Sequence, residues 1–131
     1  MVVPGLVITG RTGTYAIIST RIAWTECDEW LHATRAYLQS NRDFIGDFTR
    51  ANLPGVAYRI PQSTFFAWFD CRSLGLGEEP YDFFLREAKV ALMPGPNFGP
   101  EGAGWTRLNF ATSREILGEI LERMSRALSE R

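Results

Sequence analysis

The stretch GAGWTRLNFATSREILGEILERM, residues 102–124, changes its period in the middle, and that change decides the fold. From Gly104 to Ala111 the side chains alternate. Thr106, Leu108 and Phe110 make a core face, and Trp105, Arg107 and Asn109 make the opposite one, as a strand demands. From Thr112 onward the apolar spacing lengthens, and Leu117, Ile120, Leu121, Met124 and Leu128 recur at helical intervals. Thr112 followed by Glu115 has the form of a capping box, so the helix is predicted to start with Thr112 as its N-cap.

Working outward, PGPNFGPEGAG (94–104) is a loop rich in proline and glycine, and KVALM (89–93) before it reads as a strand. Pro80 stands at the first position of a helix that continues through YDFFLREA. GVAYRI (55–60) and STFFAWFDC (63–71) are two further strand candidates joined by Pro61-Gln62. The second is apolar on both faces and is predicted to be an interior strand covered on both sides. Upstream, ECDEWLHATRAYLQSNRDFIGDFTRAN (26–52) carries Trp30, Thr34, Tyr37, Leu38, Asn41, Ile45 and Phe48 on one helical stripe, with two polar interruptions. Leu53-Pro54-Gly55 stops it. A short helix is predicted from Thr14 to Trp24, after an irregular lead-in over residues 1–13. The resulting fold class is α+β: a small, mostly antiparallel sheet backed by helices and preceded by a long helix, one domain spanning 14–131.

Composition narrows the function. The chain has 131 residues, 45% of them hydrophobic and 22% charged, so it is expected to fold. A formal net charge of −1 provides no bulk field for nucleic acid or anionic membrane, and neither is expected as a partner. The lead-in is a poor signal peptide, interrupted by Pro4 and Gly5, and no run has the length of a membrane span. Cys27 and Cys71 form no disulfide framework, which points to a cytoplasmic protein with reduced thiols. With one histidine, His32, and two distant cysteines, no metal site is expected. His32 lies five residues after Cys27, a spacing that does not bring the two together on a helix.

Arg107 is the residue that calls for a partner. Placing a guanidinium in an apolar strand is costly unless it meets an anion. Two readings are open: an internal ion pair with one of the 15 carboxylates, or a site for a small carboxylate or phosphate, walled by Trp105 and assisted by Asn109. Loop 94–104 matches no phosphate-binding or dinucleotide fingerprint. Asp70-Cys71-Arg72, at a strand end, is expected to make a surface ion pair.

Taken together, PQSTFFAWFDCRSLGL (61–76) and FFLREAKVALMPGPNFGPEGAGWTRLNFATSREILGEILERM (83–124) resemble the C-terminal small domain of class I/II aminotransferases. These are fold-type I enzymes that use pyridoxal 5′-phosphate (PLP), and the likeness is nearest to the cystathionine β-lyase-like C–S lyases. WLHATRAYLQSNRDF (30–44) resembles the long helix leading into that domain. Two motifs, V-A-L-x-x-G-x-x-F-G and G-x-x-R-L-N-F-A, carry the resemblance. It implies that Arg107 binds an amino-acid substrate's α-carboxylate, supported by Asn109 and Trp105. Gly95, Phe98 and Gly99 would border the active site. Ser63-Thr64-Phe65 stands where the family commonly has Gly-Thr-Tyr, so no tyrosine hydroxyl is supplied there. The family's Schiff-base lysine belongs to a large domain outside the resemblance. The only lysine here, Lys89, sits at a helix-to-strand junction and is read as structural. The chain alone is therefore expected to bind no PLP and to be catalytically silent. The alternative is a standalone module, derived from that domain, that binds small carboxylates or self-associates as a homodimer through an exposed apolar surface.

Overall fold

A computed structural model describes residues 13–131, so the lead-in assigned to 1–13 lies outside the described residues apart from Gly13. The chain divides into two compact units, one reaching to Arg35 and the other running from Ala36 to Arg131. The first contains helix α1 (Thr14–Glu26) and the opening turns of helix α2 (Asp28–Asn52). α1 buries none of its residues, and Tyr15, Ile17, Ile18, Ile22 and Trp24 are exposed.

The second unit holds the rest of α2 and the whole sheet. Its strands are β1 (Ala57–Tyr58), β2 (Phe66–Asp70), β3 (Met93–Pro94) and β4 (Trp105–Asn109), in the order β1-β2-β4-β3, every pair antiparallel. Helix α3 (Pro80–Phe83) widens into a π-helical turn over Phe84–Ala88, and α4 (Arg114–Ser129) closes the chain. The fold class read from the sequence is the one observed.

The inner face of the sheet, with Ala67, Phe69, Thr106 and Leu108, is buried. It shares one core with Ile45 of α2, Phe83 and Phe84, and Leu117, Leu121 and Met124 of α4. Each such side chain contributes about 1.5–3 kcal/mol when fully buried. The α4 stripe was therefore a sound guide to its packed face.

Element ends moved, for physical reasons. Val56 donates its N–H to Leu53 O (3.1 Å) in the turn at Gly55, where φ is +85°, and β1 pairs only at Ala57 and Tyr58 instead of over 55–60. Thr64 has a positive φ of 72°, which no extended strand adopts, and β2 begins at Phe66 rather than at 63. The widened turn ends on Lys89, itself left-handed at φ 57°. Val90 N–H closes back on Phe84 O (3.1 Å) and is unavailable to a ladder, so only Met93 and Pro94 of the expected 89–93 region pair with β4.

The N-cap of α4 is Ser113, whose Oγ accepts from Ile116 N–H at 3.2 Å, not Thr112. The Thr112 carbonyl accepts from Asn41 Nδ2 at 3.0 Å. Asn41, a polar interruption in the α2 stripe, is completely buried and donates also to Phe110 O at 3.0 Å. It thereby binds the strand-to-helix corner to α2. Asn41→Ala would leave both carbonyls without this donor and is expected to destabilise the fold by about 1–3 kcal/mol, read from the urea midpoint. An unchanged midpoint would show that the corner holds without it.

One expectation about β2 is corrected. It is interior in the sheet, lying between β1 and β4, but it is not covered on both faces. Ala67 and Phe69 are buried, whereas Phe66, Trp68 and Asp70 stay half-exposed on the outer face.

Candidate functional site

The outer face of the sheet is where the candidate residues meet. Alternation puts Trp105, Arg107 and Asn109 of β4 on it, and the register sets Trp68 opposite Arg107, Phe66 opposite Asn109 and Asp70 opposite Trp105. The guanidinium of Arg107 lies between two aromatic rings, 3.9 Å from the centroid of Phe66 and 4.2 Å from that of Phe98. Both distances are close for a cation over a ring face.

Of the two readings open for Arg107, an internal ion pair is not what the structure contains. Among the described residues no Asp or Glu forms a salt bridge with it. Its Nε is buried and has no hydrogen-bond partner. A buried donor left unpaired is destabilising by about 1–3 kcal/mol, so the fold places Nε here at a cost to its own stability.

The carboxylate of Asp70, on the same sheet face, is already neutralised. Asp70 accepts from Arg72 through both carboxylate oxygens, at 2.9 and 2.7 Å, the ion pair expected at this strand end. That hydrogen bonding holds the Asp70 carboxyl below its ordinary pKa. Arg72 also lies over the Trp105 ring at 5.3 Å. Asn109 is exposed, and its Oδ1 accepts from Ala111 N–H at 2.9 Å, which turns the chain after β4 and leaves its amide N–H groups free among the described residues. Trp105 stands edge-on to Trp68 at 6.2 Å, making an aromatic floor beside Arg107.

Phe98 reaches the guanidinium from a loop built on close glycine contact. Gly95 and Gly102 face each other backbone to backbone, and a Cβ on either would fall on the other's carbonyl oxygen. A Cβ at Gly95 would also lie 2.6 Å from Trp105 O. Gly99 turns with φ +133°, a conformation suited to glycine. The loop thus holds Phe98 over both Arg107 and Trp68, whose ring it meets edge-on at 5.2 Å. Gly95 and Gly99 act through this geometry, not by contact with the guanidinium. Beyond Phe98 a cleft of about 780 Å³ opens along the same face, lined by residues that include Tyr58, Ile60, Trp68, Phe98, Glu101 and Trp105.

The sequence reading missed Phe66 as the second ring on Arg107, together with Trp68. The signal was present in the alternation of β2, but only the strand register brings these side chains to Arg107. His32 and Cys27 belong to the first unit, while Cys71 is buried in the second with its thiol pushed up to about 12 by desolvation. Both cysteines are free thiols. Among the described residues there is no cluster of three metal-ligating side chains, and no helix is long and apolar enough to cross a membrane.

The site is thus an arginine with no ion pair among the described residues, set against two rings on the outer face of an α+β domain's sheet. No protein-family model matches the chain. A cystathionine β-lyase-like protein of Mycobacterium tuberculosis is 42% identical over 132 residues, covering 88% of this chain and 32% of the relative. Cystathionine β-lyase PatB of Bacillus subtilis is 31% identical over 92% of this chain and 31% of its own length. Among solved structures, the PLP-bound C–S lyase of Staphylococcus hominis superposes with a TM-score of 0.85 at 28% identity, over 91% of this chain and 32% of that one. The chain is thus related to the cystathionine β-lyase-like C–S lyases and aminotransferases, as the resemblance implied, and spans about a third of the length of these relatives.

Proposed function

We propose that this chain, from residue 14 to 131, is the C-terminal small domain of a PLP-dependent C–S β-lyase or aminotransferase acting on amino acids. In this reading Arg107 receives the α-carboxylate of the substrate. The observation that supports it is the unpaired guanidinium: buried Nε, no carboxylate partner among the described residues, and two aromatic rings within 4.2 Å of its central carbon. A planar carboxylate offers two acceptor oxygens to the edge of such a fork. Asn109, through its amide, and Trp105, through its ring, complete the wall, and Gly95, Phe98 and Gly99 form the rim.

PLP supplies an electron sink for reactions at the amino acid's α-carbon. The described residues of this chain do not fit the cofactor. Lys89, the single lysine, is exposed at a helix end and donates from Nζ to Arg86 O at 2.8 Å. The chain therefore contributes carboxylate binding and orientation of the amino acid, with the chemistry supplied from outside it.

The test is direct. Excess PLP followed by borohydride and peptide mapping is expected to give no specific pyridoxyl adduct at Lys89, and no amino acid should be consumed. Specific labelling of Lys89 with turnover of an amino acid would overturn the reading.

A further inference from the structure

The arrangement around Arg107 is more than an open positive charge, and its consequence for selectivity rests on the carboxylate-binding role proposed for this residue. We infer that Phe66 and Phe98 clamp the guanidinium so that it presents only its edge, which makes the site selective for planar carboxylates over tetrahedral anions, with Phe98 as the positioning residue.

The geometry supplies each part. A guanidinium is flat, carries its N–H donors around its rim and has none on its faces. Here the guanidinium carbon lies 3.9 Å from the Phe66 centroid and 4.2 Å from that of Phe98, within range of direct contact. Rings this near crowd the space above the guanidinium where a ligand would otherwise stack. An anion must approach in the plane of the fork, where a carboxylate meets two parallel N–H groups with two coplanar oxygens. Phosphate and sulfate project further oxygens out of that plane, toward the rings. Phe66 is fixed in β2 by the sheet. Phe98 is half-exposed and comes from a loop, but the glycine pair and its edge-on contact with Trp68 hold it in place. It is the part of the clamp that can be altered without disturbing the core.

The test uses the whole chain and isotope-detected NMR of the Arg107 Nε–H group, titrated with L-alanine and separately with inorganic phosphate. Wild type is expected to bind L-alanine at least about tenfold more tightly than phosphate, with a slowly exchanging Nε–H signal. Phe98→Ala should weaken L-alanine binding about tenfold, abolish the preference and speed Nε–H exchange. Phe98→Tyr should retain all three wild-type properties, which a merely structural role for the ring would not require. A wild-type chain that binds both anions equally, or a Phe98→Ala variant that keeps the preference, overturns the clamp while leaving Arg107 as the carboxylate handle. A wild-type chain whose Arg107 signal responds to neither anion overturns the carboxylate reading and the clamp with it.

Discussion

Replacing Arg107 by glutamine in a complete enzyme carrying this domain is expected to lower kcat/KM for the amino-acid substrate by about ten- to a hundredfold. A hydrogen-bonded pair with a charged partner is worth about 1.5–3 kcal/mol, and each 1.4 kcal/mol is a factor of ten. Glutamine keeps much of the length and can still donate through its amide, but it lacks both the charge and the two-pronged fork. The loss should fall on every α-amino acid alike, because the carboxylate is common to all of them. Steady-state kinetics with two substrates of different side chain would check this. An unchanged specificity constant removes Arg107 from the site. A loss confined to one substrate would mean that Arg107 reads the side chain instead.

The largest stability effect is expected at Phe84. Its ring is fully buried in the core shared by sheet and helices, and it meets Phe83 nearly at right angles with centroids 5.3 Å apart. Phe84→Ala should destabilise the chain by about 3–5 kcal/mol, a large share of the stability of a domain this size. The neighbouring Leu85, 49% exposed, provides the contrast. Leu85→Ala is expected to cost about 0.5 kcal/mol or less. Urea unfolding of both variants beside wild type decides the matter, and equal shifts would mean that the core does not lie where these side chains put it.

How much of this was legible in the residues depends on the element. α4 was readable because its stripe is unbroken, and only its cap lies one residue on, at Ser113, whose hydroxyl and not that of Thr112 accepts from Ile116 N–H. The strands were readable as strands but not in their lengths. Those lengths turn on single backbone angles at Thr64 and Lys89, two residue types that rarely adopt positive φ. At the candidate site, alternation alone placed Trp105, Arg107 and Asn109 on one face. Whether Arg107 met a carboxylate of its own could not be read there, because that depends on which of 15 acidic side chains folds toward it. The same holds for Phe66, brought beneath the guanidinium only by the pairing of β2 with β4.

The glycine pair has an evolutionary corollary. A methyl group at either position collides with the backbone of the other, so a change at one cannot be rescued by trimming a side chain at its partner, which has none to trim. Mutational drift through this rim would have to pass by reshaping the whole loop in a single event. Descendants of this chain should therefore inherit the segment from Gly95 to Gly102 as a block or lose it entire, while the exposed turns around it vary freely.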